Sequence, residues 1–224
     1  AKADLLTLQG LGCDFDYNEL EKKADYCKVY KDAALTTEIA SIYASYGQFN
    51  KAIELYESLE LLTPEAEYQL GLLYKKGVHV FPPQPHYQLA ENHFRNAFDT
   101  GHLYATYELG NLYFNPTGRF RKNFLKAKEY FKIAADKGHG ESQYRMGWIC
   151  EYGLAGTVDY DMAISYYEKA VGNGHILASL QLSQLYQYAS CCNYHKAFFH
   201  AVRAANAGCD LAQFILGNLY FFGR

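Results

Sequence analysis

Two intervals recur four times along this chain. An alanine is followed eleven residues later by a glycine, at Ala90/Gly101, Ala127/Gly138, Ala163/Gly174 and Ala197/Gly208, and nine residues after each glycine comes Gly110, Gly147, Ser183 or Gly217. A fixed period of this length constrains the fold more than any local propensity does. Each unit can bury its apolar face only by stacking on its neighbours, so the chain reads as a solenoid whose function lies on an extended surface.

The remaining interval is not fixed. From the small residue to the next alanine it is 19 residues (Gly71 to Ala90), then 17 (Gly110 to Ala127), 16 (Gly147 to Ala163) and 14 (Ser183 to Ala197). Length tolerance marks a loop, and residues that stop or turn a helix crowd into it. Val78 to Pro85 holds three prolines, Asn115 to Arg119 holds Pro116 and Gly118, and Gly153 to Asp159 holds Gly156. Each unit is thus helix A, a variable loop, helix B and a tight glycine turn into the next helix A.

Leu103 to His139 shows the chemistry of one unit. Helix A is expected over Leu103 to Phe114, with Ala105, Leu109, Leu112 and Tyr113 as its apolar stripe. Helix B, over Asn123 to Asp136, puts Ala127, Phe131 and Ala134 on one face, and the two alanines let a neighbouring backbone come close. Gly138 then takes the left-handed conformation that ends a helix. The predicted fold is all-α, a right-handed superhelix of stacked antiparallel helix pairs without β-sheet.

The apolar half of the composition is broken up by the helical period, and no run approaches the roughly 18 apolar residues of a membrane span, so no membrane insertion is expected. A net charge of −3 with both signs interspersed argues against a nucleic-acid partner. Cys13, Cys27, Cys150, Cys191, Cys192 and Cys209 follow neither the repeat nor a metal spacing, and most of them read as small core hydrophobes. That usage fits a reducing compartment such as the cytoplasm, with a periplasmic or secreted location left open. Neither an initiator methionine nor a secretory apolar stretch stands at the start to decide the compartment. Nothing in the sequence near the vicinal Cys191 and Cys192 depresses a thiol pKa.

Signatures of catalysis are missing. The glycines follow the repeat and form neither a phosphate-cradling loop nor a nucleophile elbow. Acid pairs such as Glu65/Glu67 and Asp159/Asp161 fall at helix starts, where a carboxylate meets the helix dipole favourably. His102, His139 and His175 each follow the turn glycine, which gives them a structural role in the turn. His195/His200 and His86/His93 are spaced poorly for metal binding. No catalytic residue, cofactor or metal is expected.

The strings Ala66-x-x-x-Leu70-Gly71-x-x-Tyr74, Ala105-x-x-x-Leu109-Gly110-x-x-Tyr113 and Ala212-x-x-x-Leu216-Gly217-x-x-Tyr220 resemble helix A of Sel1-like repeats. Lys126 to His139 and Met162 to Ala170 resemble the family's helix B. Upstream, Ala40, Tyr43, Gly47, Ala52, Tyr56, Leu59 and Pro64 fall on the related tetratricopeptide spacing. The resulting expectation is an N-terminal helical cap or degenerate repeat over residues 1–32, with a helix over Lys2 to Leu11 and another over Tyr17 to Tyr30 capped by Asp16. A tetratricopeptide-like first unit follows over 33–63, then Sel1-like repeats over 64–224, four complete and a truncated fifth. The last helix A, Leu211 to Phe222, would leave Phe214, Tyr220, Phe221 and Phe222 uncovered, so the natural chain is expected to continue or to self-associate there.

The resemblance implies a non-catalytic scaffold or adaptor that binds a protein or peptide, in bacteria tied to signalling, the envelope or host interaction. A carbohydrate-binding or enzyme-regulating accessory protein with an aromatic groove is the alternative, and a catalytic helper with a site assembled from distant repeats is a third. Of the 22 tyrosines, Tyr74, Tyr113, Tyr186 and Tyr220 share one repeat position and Tyr68, Tyr107 and Tyr144 another, which packing explains. In tetratricopeptide-like stacks the A helices line the concave face. The A-helix positions not fixed by the repeat are the expected partner contacts: Lys75, Asn111, Phe114, Trp148, Glu151, Tyr152, Gln184 and Tyr188, with Trp148 the one tryptophan of the chain.

Overall fold

The computed structural model describes residues 17–77, 85–115, 122–188 and 192–221. The helix expected over Lys2 to Leu11, the Asp16 cap, Cys13, Cys191 and Phe222 lie outside the described residues. Among those described, the elements are twelve α-helices and no strand. They are α1 (Tyr17–Tyr30), α2 (Ala33–Ser45), α3 (Phe49–Glu57), α4 (Pro64–Lys76), α5 (Tyr87–Asp99), α6 (Leu103–Phe114), α7 (Phe124–Asp136), α8 (Gly140–Glu151), α9 (Tyr160–Gly172), α10 (Ile176–Tyr188), α11 (Tyr194–Asn206) and α12 (Asp210–Phe221). Even-numbered helices from α2 onward are A helices; α3, α5, α7, α9 and α11 are B helices. The chain forms two compact bodies, residues 1–96 and 97–224, and the division falls inside α5.

From α5 onward both joints of the unit are built the same way each time. At the turn from helix B to helix A, Gly101, Gly138, Gly174 and Gly208 all stand at φ between 83° and 86°, a conformation that strains any side chain. The N–H of the residue after each glycine reaches back to a helix-B carbonyl, as His139 does to Ala134 at 3.1 Å and His175 to Ala170 at 2.9 Å. His102 and His139 then cap the following helix, their Nδ1 accepting from the N–H groups of Ala105 and Ser142. These histidines thus have the structural role in the turn that their position implied.

The other joint explains how loops of unequal length fit one stack. The N–H of the residue just before helix B donates to a carbonyl near the end of helix A: Gln48 to Tyr43 (2.8 Å), His86 to Tyr74 (2.9 Å), Asn123 to Tyr113 (3.0 Å), Asp159 to Cys150 (2.9 Å) and Asn193 to Tyr186 (2.8 Å). In three units the same residue caps helix B with its side chain, Asn123 accepting from Lys126, Asp159 from Met162 and Asn193 from Lys196. The loop is pinned at both ends whatever its length.

Between helices A and B, a glycine faces a ring. A β-carbon at Gly71, Gly110 or Gly147 would meet the ring of Phe94, Phe131 or Tyr167 at 2.5 to 2.6 Å, and all three rings are fully buried. The fifth unit solves the same contact differently. Ser183 replaces the glycine and Ala201 stands where the other units carry the aromatic, so volume removed on helix B is partly returned on helix A. Around these contacts run the alanines Ala90, Ala97, Ala127, Ala134, Ala163, Ala170, Ala197 and Ala204, all inaccessible to solvent.

Candidate functional site

Seven of the eight expected partner contacts lie in the second body; Lys75 lies in the first, in the last turn of α4, where a cation offsets the helix dipole. Asn111 and Phe114 come from α6, Trp148 and Glu151 from α8 with Tyr152 immediately following, and Gln184 and Tyr188 from α10. One of these positions is not free. Phe114 is 5% exposed and belongs to a core cluster with Tyr113, Ala127, Phe131, Met146 and Ile149. Its ring packs edge-on against Phe124 (5.3 Å) and Phe131 (5.9 Å), so its place outside the repeat consensus reflects local packing and not exposure.

Trp148 is intermediate. It packs partly against the same cluster, with its ring 5.5 Å from Phe114 and 6.0 Å from Tyr152, and the Arg145 guanidinium lies 5.6 Å over it. Tyr152 extends the aromatic row outward and is 54% exposed. Asn111 is half-buried, and its Oδ1 accepts no hydrogen bond from the described residues.

The other three contacts come together in one place. Glu151, Gln184 and Tyr188, with Tyr160 and Leu185, line a recess of about 360 Å³. Glu151 is half-buried and accepts a hydrogen bond from the Tyr167 hydroxyl at 2.6 Å. Burial pushes its carboxyl above the usual carboxylate range, outweighing the hydrogen bonds that favour the charge. Burial, with help from Glu151, also pushes the Tyr167 hydroxyl up, so Tyr167 remains a donor. Tyr160 was not among the expected contacts, yet Tyr87, Phe124, Tyr160 and Tyr194 place an aromatic at the same point of four successive B helices, a signal present in the sequence.

Several other aromatic and titratable groups take part in packing between units. Tyr107 and Tyr144 pack between the helix-B ring and the next turn histidine, with centroids 4.8 Å (Tyr107 to His139) and 4.5 Å (Tyr144 to His175) apart. His175 pairs with Glu141 at 2.6 Å, a contact that holds the Glu141 carboxyl below its usual range. Cys27 and Cys150 are buried, and burial raises both thiols. Among the described residues no His, Cys, Asp and Glu side chains group as metal ligands, and no helix is long and apolar enough to cross a membrane.

A family model for the Sel1 repeat matches residues 64–102, 103–139, 140–175, 180–209 and 210–224. The chain belongs to the Sel1-repeat family. Among Sel1 relatives, the chain is 31% identical over 99 residues to the sel1-like repeat-containing protein L21 of Acanthamoeba polyphaga mimivirus, a match that covers 44% of this chain and 18% of that protein. It is 34% identical over 134 residues to the chitin synthase regulator SKT5 of Saccharomyces cerevisiae, covering 54% of this chain and 18% of that one. The chain therefore spans under a fifth of the length of either relative. The crystal structure of a Sel1 repeat protein from Oxalobacter formigenes superposes with a TM-score of 0.72 at 23% identity, over 84% of this chain and 76% of that one. That likeness establishes the Sel1 fold of stacked helix pairs.

Proposed function

We propose that this chain is a non-catalytic adaptor that binds a protein or peptide partner along the face formed by the A helices α6, α8 and α10 of the second body, the concave side in stacks of this kind. One observation carries the reading. From Trp148 through Tyr152 to the recess at Glu151, Gln184 and Tyr188, large aromatic and polar groups stand at positions that the repeat leaves variable, and Tyr152 and Tyr188 are 54% and 81% exposed. Aromatic rings with a polar handle, surrounded by groups that exclude water, are what interface centres use. The Sel1 family supports a scaffold role, and SKT5 is named as the regulator of an enzyme. On that likeness an enzyme is the class of partner favoured here, and a regulatory role is the form that the accessory-protein alternative takes.

Affinity capture from the native host tests the reading. Tyr152→Glu puts a charge on an exposed A-helix position without opening the core and is expected to abolish capture of the partner. Lys132→Glu, on the exposed face of helix B, is expected to leave it unchanged. Equal capture by wild type and Tyr152→Glu would overturn the assignment of this face.

A further inference from the structure

The third and fourth units can be compared place by place. In the third unit Phe114 on helix A, Phe124 at the start of helix B and Trp148 on the next helix A close on one another, with Phe114 5.3 Å from Phe124 and 5.5 Å from Trp148. One unit later the same three places hold Glu151, Tyr160 and Gln184. These side chains leave the gap open, and it forms the recess of about 360 Å³ already described. An aromatic plug has become a pocket with a carboxylate at its wall.

The plugged gap already has a cation. Arg145 sets its guanidinium 5.7 Å over the Phe114 ring and 5.6 Å over Trp148, with Nε 3.0 Å from the Glu141 carboxylate. Its counterpart one unit later is Gln181, a neutral side chain whose buried Oε1 accepts no hydrogen bond from the described residues. Glu151 likewise has no basic side chain paired with it among the described residues, and a half-buried carboxylate without one is held at a cost. The open gap thus sets a carboxylate in the place of the Phe114 ring, beside the rings of Tyr160 and Tyr188 and with no guanidinium to meet it.

We propose that the recess between α8, α9 and α10 receives an arginine side chain of the bound partner, its guanidinium paired with the Glu151 carboxylate and stacked against the rings of Tyr160 and Tyr188. This rests on the reading of the A-helix face as the partner-binding surface. Arginine fits better than lysine, because a planar fork pairs with a carboxylate through two hydrogen bonds and lies flat on a ring, whereas an ammonium is a compact and strongly hydrated charge. At about 360 Å³ the recess lies at the small end of the roughly 300 to 1,000 Å³ of ligand pockets and has room for one long side chain.

Nuclear magnetic resonance titration of the ¹⁵N-labelled chain with N-acetyl-arginine-N-methylamide tests this directly. Saturable shifts are expected at the Gln184 and Leu185 amides. The citrulline analogue, equal in shape but uncharged, is expected to bind at least about tenfold more weakly. Glu151→Gln should weaken arginine binding by a similar factor while melting no earlier than wild type, because it removes an under-compensated charge. Glu151→Phe, which rebuilds the plug of the third unit, should abolish binding. The proposal falls if no shift saturates, if citrulline binds as well as arginine, or if Glu151→Gln binds with unchanged affinity. Tyr152 is not part of the recess lining but hydrogen-bonds Glu151, so the two readings are separated by probe: the arginine titration reads the recess alone, and capture reads the whole partner.

Discussion

A β-carbon placed on Gly110 would stand 2.6 Å from the ring of Phe131. The contact is a limit on the spacing of helices α6 and α7, because the ring is fully buried and has nowhere to retreat. Gly110→Ala gains about 1 kcal/mol of helix propensity and loses about 1 to 3 kcal/mol to overpacking, so net destabilisation is expected. At Gly217 a β-carbon would meet nothing within 4 Å, and Gly217→Ala should raise the melting temperature. Calorimetry on the two variants checks the opposite signs. The fifth unit suggests a further test: Gly110→Ser combined with Phe131→Ala should be less destabilised than the sum of the single changes, by about 0.5 to 3 kcal/mol of coupling.

Asp159 acts twice, through its N–H on the Cys150 carbonyl and through its Oδ1 on the Met162 N–H. Asp159→Ala keeps the first bond and loses the second. It should cost about 1 kcal/mol as read from the denaturant midpoint, whereas Asp159→Asn, which copies Asn123 and Asn193, should cost only a few tenths. Equal losses for both would mean that the carboxylate's charge, and not its capping bond, is what matters at this position.

Phe114 and Tyr152 separate core from surface within one aromatic row. Phe114→Ala should lower stability by about 3 to 5 kcal/mol, since the ring is buried against Phe124 and Phe131. Tyr152→Ala should move the melting temperature little and reduce partner affinity by about 2 kcal/mol or more if it is a hot spot. Trp148→Ala is expected to do both in part. Thermal melts beside a binding titration resolve the three.

His139 should give stability an acid limb. Burial holds its imidazole pKa below the ordinary histidine value, against the opposing pull of Glu141 and Glu108 and with a smaller push from His175. Its Nδ1 caps α8 only while it can accept a hydrogen bond. A folded pKa below the unfolded value of about 6.5 means that this contribution is present above that pH and is lost as pH falls through the folded value. His139→Asn, which caps without titrating, should therefore gain on wild type between about pH 7 and pH 5. A difference in melting temperature that stays flat across that range would contradict a neutral-imidazole cap.

The repeat made the architecture readable because its demands are local and recurrent. Gly138 needs a positive φ, Gly110 needs to lack a side chain, and both recur at fixed spacing for those reasons. The site was harder to read because it lies where the repeat imposes nothing. Lys75, Phe114, Glu151 and Gln187 share one position, and that variety looks like a surface. In the third unit two neighbouring rings close over the position and bury it; in the fourth, smaller or polar groups leave it open. Which outcome holds depends on Phe124 or Tyr160 from helix B and on Trp148 or Gln184 from the next unit, a three-body contact that no single period contains. Tyr160 was the residue that periodicity could have found, had the aromatic at the start of every helix B been weighed.

The hydrogen bond that closes each A-to-B loop makes the stack indifferent to how much chain it encloses. The same donor and acceptor meet from Tyr43 to Gln48 and from Tyr74 to His86. Each A-to-B loop is in effect an insertion port: residues can be added or removed there, as at Gly156, while the helices keep their register. A lineage could thus diversify by lengthening these loops while the recognition residues on the A helices stay in place, and an epitope or fluorophore threaded between the exposed Gly156 and Thr157 would report on the molecule while Leu154 and Ala155 keep their core contacts.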